Sequence, residues 1–141
     1  MYIRHVGLVV KDLNLSLKFW RDSFGFRVLK RSEETGKTID NILKTKNCKI
    51  TTVKLIDANR NILELIKFRN LKYQKSRKIF THNNGFTHIA LTIKNLDKIY
   101  NKLKKKIIFN CPPQLSKDKK VKLTYLKTPE GAYLELVEEL K

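Results

Sequence analysis

The chain has 141 residues, of which 41% are hydrophobic and 31% charged, and carries a formal net charge of +18. That length holds one domain with a real core, and no apolar run approaches the roughly 20 residues that a membrane helix needs. The chain enters a strand directly, without a signal peptide, and Cys48 and Cys111 match no metal-knuckle or redox spacing. A reducing cytoplasm is therefore the expected location, with Cys48 packing rather than reacting.

The lysines are spread along the sequence, densest at Lys104, Lys105 and Lys106. Neither the aromatic–basic strand of an RNA-binding sheet nor a helix-turn-helix pattern accompanies them, so no specific nucleic-acid partner is expected. A positive field of this size would instead draw small anionic substrates to a pocket.

A strand is predicted over residues 1–10, then a helix over about 12–24, with Asp12 or Asn14 as its cap and Gly25 just past its end. Leu13, Leu17, Trp20 and Phe24 fall at helical spacing and read as core. A strand at about 26–31 is followed by a polar stretch, 32–47, with a helical turn at 39–43. Strands at about 48–56 and 61–67 flank the turn-rich Asp57-Ala58-Asn59-Arg60.

Residues 71–84 are basic and aperiodic and read as a linker, in which His82 is solvated. The second half repeats the order: strand 86–93, helix 95–105, short strand 106–109, a loop through Pro112-Pro113, and strands 120–127 and 132–138. The expectation is a single α+β domain over 1–141, made of two βαβββ modules at about 1–70 and 85–141. Two such units can set their strands side by side and curl into an open, cup-shaped mixed sheet with helices on the outside.

The halves also repeat in their letters. His-Val-Gly-Leu-Val-Val-Lys-Asp-Leu from His5 matches His-Ile-Ala-Leu-Thr-Ile-Lys-Asn-Leu from His88. Asn-Ile-Leu-Glu-Leu-Ile from Asn61 matches Ala-Tyr-Leu-Glu-Leu-Val from Ala132, which pairs Glu64 with Glu135. Strand alternation puts Val6, Leu8 and Val10 on one face, the natural one to bury, and His5 with Gly7 on the other. In the second half Ile89, Leu91 and Ile93 oppose His88 and Ala90. Glu64 stands between Leu63 and Leu65, and Glu135 between Leu134 and Leu136. A carboxylate amid apolar strand residues is costly unless it is paired or binds a metal. A lone glutamate or histidine there would read as solvated, but independent surface residues have no reason to recur at matching places. Two imidazoles and two carboxylates would neutralise one divalent cation, so His5, Glu64, His88 and Glu135 are the candidate metal ligands.

Phe24-Gly25-Phe26, Thr87-His88-Ile89-Ala90-Leu91 and the segment from Pro129 to Leu136 complete a pattern spanning nearly the whole chain. The sequence resembles the vicinal oxygen chelate superfamily, which includes glyoxalase I, methylmalonyl-CoA epimerases, extradiol dioxygenases, and fosfomycin- and bleomycin-resistance proteins. The fold hosts several chemistries. Dioxygenases and fosfomycin transferases lack a ligand at the place of Glu64, and epimerases generally have glutamine there. The His5, Glu64, His88 and Glu135 set is similar to that of bacterial glyoxalase I. The glutathione-binding arginine and asparagine of that enzyme correspond to Val9 and Phe68, so the likeness covers the metal centre and not the glutathione contacts.

The resemblance implies a lyase or isomerase that moves a proton on a chelated hydroxy-carbonyl, with Glu135 as first choice for the catalytic base and Glu64 as second. Mixed nitrogen and oxygen ligands suit one nickel, zinc, cobalt, manganese or iron ion. It also implies a homodimer. The alternatives are a drug- or metabolite-binding protein without catalysis, a dioxygenase, or an epimerase.

Overall fold

The computed structural model describes residues 2–73 and 79–140, and these form two compact units, Met1–Ser76 and Arg77–Lys141. The middle of the expected linker, residues 74–78, lies outside the described residues.

The first unit is a four-stranded mixed sheet in the order β1-β4-β3-β2, built from β1 (Val6–Val9), β2 (Arg27–Thr35), β3 (Lys49–Ile56) and β4 (Ile62–Phe68). Only the β1–β4 pairing is parallel. Helix α1 (Leu13–Lys18) starts where the Asp12 carboxylate accepts the N–H of Leu15, at 3.0 Å. That satisfies one of the free donors of the first turn. The helix continues as a π-helical turn, Phe19–Ser23, a wider coil that lets consecutive Phe19 and Trp20 both be buried. Gly25 then takes a left-handed φ of +74°, and the Phe26 N–H closes back on the Trp20 carbonyl.

Two expectations shift here. Residues 32–35 are not loop: β2 runs on to Thr35, where Glu33 accepts from Thr51 Oγ1 at 2.9 Å and meets the Arg69 guanidinium at 2.8 Å. The helical turn is longer than expected, α2 at Lys37–Leu43. Its Asp40 carboxylate collects the N–H groups of Asn47 and Cys48 and the Thr45 hydroxyl. Cys48 is fully buried.

The second unit repeats the topology as β5-β8-β7-β6, from β5 (His88–Thr92), β6 (Gln114–Leu115), β7 (Val121–Lys127) and β8 (Tyr133–Glu139), with β5 and β8 parallel. Helix α3 (Leu96–Leu103) follows β5. The strand expected at 106–109 reduces to a single bridge, Phe109 to Leu126, and ordered pairing resumes at β6, beyond Pro112-Pro113. Prolines lack the N–H a continuous ladder needs. Each unit is thus an α+β arrangement of the βαβββ kind, with an additional helix, α2, in the first.

The predicted face is buried on β4 and β8 but only partly on β1 and β5: of Val6, Leu8 and Val10 only Val10 is buried and Val6 is exposed, while Ile89, Leu91 and Ile93 are half-buried. Leu63, Leu65, Leu134 and Leu136 are buried, and α1 lies against β4 while α3 lies against β8.

Candidate metal-binding pairs

Each unit brings one histidine to one glutamate. In the first, β1 runs parallel to β4 with Gly7 opposite Glu64; in the second, β5 runs parallel to β8 with Ala90 opposite Glu135. The small residue two positions after each histidine therefore lies beside the glutamate in the ladder. His5 Nε2 stands 3.3 Å from Glu64 Oε2, and His88 Nε2 stands 3.4 Å from Glu135 Oε2. The glutamates are the more sheltered partners, 13% and 17% exposed against 32% and 39% for the histidines.

The donor chemistry of each pair fits a divalent ion. Two ligands about 2.1 Å from one ion and roughly 90–109° apart stand about 3.0–3.4 Å from each other, the separation each pair shows. The second nitrogens differ. His88 Nδ1 meets Thr87 Oγ1 at 3.1 Å, which fixes the ring with Nε2 towards Glu135. His5 Nδ1 is buried and has no hydrogen-bond partner among the described residues. His5 and Glu64 belong to one compact unit, and His88 and Glu135 to the other. Among the described residues, no three of His, Cys, Asp and Glu gather closely enough to hold a metal ion.

Sequence reasoning missed two residues. Lys54 on β3 lies directly opposite Glu64, with its Nζ 3.5 Å from Glu64 Oε1. Tyr125 on β7 lies directly opposite Glu135. Its ring packs edge-on to His88 with centroids 5.3 Å apart. Burial raises the Tyr125 hydroxyl above its ordinary pKa, and the charge of Glu135 and a hydrogen bond to it add to the shift. The spacing held the signal, since each residue stands ten positions before its glutamate. His82 is exposed and stacks on Phe80, with ring centroids 5.5 Å apart.

A family model described as Glyoxalase/Bleomycin resistance protein/Dioxygenase superfamily matches residues 2–136. Among curated proteins no significant match to the sequence is found. Among solved structures, a glyoxalase family protein from Bacillus cereus is similar at a TM-score of 0.90 and 17% identity, covering 100% of this chain and 95% of that one. The trypanothione-dependent glyoxalase I of Leishmania major gives a TM-score of 0.67 at 20% identity, covering 99% of this chain and 87% of that one. The fosfomycin resistance protein FosX from Listeria monocytogenes, complexed with Mn(II) and sulfate, gives 0.62 at 18% identity, covering 99% and 93%. At these identities the likeness shows the fold.

Proposed function

Because the chain belongs to the glyoxalase/bleomycin resistance protein/dioxygenase superfamily, we propose that it is a divalent-metal-dependent lyase or isomerase of the glyoxalase I type. His5, Glu64, His88 and Glu135 are its ligands, and the substrate is a small hydroxy-carbonyl compound. The observation that carries this reading is the recurrence of one local geometry, a histidine Nε2 at 3.3 or 3.4 Å from a glutamate, at the same register in both units. The superfamily contains enzymes of this kind, and the Listeria relative holds Mn(II).

A divalent ion bound by this set supplies Lewis-acid polarisation of substrate oxygens. The histidines hold position through Nε2. Glu135 takes the proton from the carbon beside the carbonyl and returns it to the neighbouring carbon, and Glu64 is the second candidate for that base. Tyr125, packed on His88 and beside Glu135, shelters the carboxylate from water and orients it. We also propose a homodimer: β2 and β6 are sheet edges carrying exposed Val28, Leu29 and Leu115, surface that a second copy would cover.

Proton transfer predicts solvent exchange of the substrate α-proton in D₂O, supported by redox-inactive Zn²⁺ or Ni²⁺ and abolished in Glu135→Gln. Strict O₂ consumption with Fe²⁺ or Mn²⁺ and no exchange would instead mean an oxygenase. A second reading is ligand binding without catalysis, since the superfamily also takes in bleomycin resistance proteins. Protein that binds an α-hydroxy-carbonyl without holding metal would support it.

A further inference from the structure

A surface cavity of about 390 Å³ lies at the end of α3, wholly within the second unit. Lys104, Lys105 and Lys106 line it together with Tyr100, Ile107 and Phe109, and no acidic residue is among its lining. The backbone accounts for its shape. The N–H of Lys104 returns to the Tyr100 carbonyl, and those of Lys106 and Ile107 both return to the Leu103 carbonyl, so the chain turns back at the helix end. Phe109 is then held by its bridge to Leu126, and its ring meets Tyr100 edge-on with centroids 5.0 Å apart.

The lysine side chains are not needed to finish the helix, because the Tyr100 and Leu103 carbonyls already have backbone donors. A helix C-terminus carries about half a negative charge, which three ammonium groups far exceed. Among the described residues, none of the three has an ion pair. Lys104 is fixed at the cavity wall: its Nζ donates to Asn101 Oδ1 at 2.7 Å and stands 5.4 Å from the centre of the Tyr100 ring. Lys105 and Lys106 are exposed, while Tyr100 and Phe109 are half-buried. We propose that this cavity binds a nucleotide, its phosphate groups on the three lysines and its base against Tyr100 and Phe109. Three cations around one small space suit a multiply charged group better than a single carboxylate, and half-buried aromatic rings offer a planar base a stacking surface. The cavity also falls within the roughly 300–1,000 Å³ of small-molecule sites. A single-stranded nucleic acid carries the same groups, but it needs a basic path several nucleotides long, whereas this cluster is three consecutive residues around one cavity. No lining residue belongs to either His–Glu pair, so the site is independent of the metal-centre reading.

The test is calorimetric titration of the purified protein in about 0.15 M salt, where exposed charges more than roughly 8 Å away are largely screened. The probes are ADP, pyrophosphate and adenosine. Wild type should bind ADP at least about tenfold more tightly than either fragment, the scale of one stacked base or one charge-assisted contact. Lys105→Gln/Lys106→Gln should weaken ADP by at least about tenfold. Lys117→Gln/Lys120→Gln, which removes the same charge from exposed positions elsewhere in the unit, should leave ADP within about twofold. Tyr100→Leu, or Phe109→Leu as a second ring variant, should lower ADP towards the affinity of pyrophosphate and leave pyrophosphate itself unchanged. Urea unfolding checks that each variant is folded. ADP no tighter than pyrophosphate, or equal weakening in the two lysine double variants, would overturn the site. So would a single-stranded oligonucleotide that needs Lys105 and Lys106 while ADP does not bind.

Discussion

Glu138 offers a sharp test of which face of β8 does what. It is three residues beyond Glu135, so it projects from the opposite side, with Leu134 and Leu136. There its carboxylate accepts the N–H of Asn95 at 2.8 Å and the N–H of Leu96 at 3.1 Å. Asn95 precedes α3 in a left-handed conformation, φ 57°, and makes no side-chain cap of its own. Glu138 therefore closes the start of α3 from a neighbouring strand, and Leu96 below it is fully buried. Losing a cap costs about 1 kcal/mol, and the negative charge at a helix N-terminus adds up to about another 1 kcal/mol. Glu138→Ala should thus cost about 2 kcal/mol, and Glu138→Gln, which keeps one acceptor, about 1 kcal/mol. For a chain of 141 residues the larger loss lowers the melting midpoint by roughly 7 °C. Urea and thermal unfolding read the loss, and metal content per chain is measured on the same samples. An unchanged midpoint in Glu138→Ala, or a metal loss as large as that of Glu135→Ala, would refute the assignment of faces.

Asp40 gives a pH signature. The N–H of Cys48, with further help from Thr45 and Asn47, holds its carboxyl below the ordinary value of 3.8. A folded pKa below the unfolded one contributes stability that is present at neutral pH and lost as the pH falls through the folded value. The acid side of the stability profile should be shallower in Asp40→Asn than in wild type, measured by urea midpoints between about pH 6 and 3; equal slopes would remove Asp40 as a cause. Metal should stabilise by mass action, about 2.7 kcal/mol at a free concentration a hundred times Kd, or roughly 9 °C in midpoint. Removing it with a chelator should reverse that shift, and the Ala variants of all four ligands should show little of it.

Much of the fold was legible because its determinants are local. The alternation around Glu64 and Glu135 reports which face is buried, and the matched letters around His5 and His88 report the repeat. What escaped depends on partners distant in sequence. Residues 32–35 look like loop until Glu33 finds Thr51 and Arg69 on neighbouring strands. At 106–109 the turn that closes α3 runs on, with the N–H groups of Lys106 and Ile107 both bonded to the Leu103 carbonyl, which leaves Phe109 to pair with Leu126. A π-helical turn at Phe19–Ser23 has no residue signature, because the α-helical spacing of Leu13, Leu17, Trp20 and Phe24 is equally good without it. Of the candidate site, the pairing of each histidine with its own glutamate follows from parallel strands in matched register. Lys54 and Tyr125 differ from one another, so a search for repeated letters passes over them, although they share a register position.

We propose that His5, Glu64, His88 and Glu135 are ligands of a divalent ion. Metal content of untagged protein, measured by elemental analysis after loading and exhaustive dialysis, tests it most directly. Wild type should retain about one ion per chain, and His5→Ala, Glu64→Ala, His88→Ala and Glu135→Ala should each lose most of it while unfolding cooperatively in urea. Stoichiometric metal retained by any one variant would remove that residue from the ligand set, and metal-free wild type would contradict the claim outright.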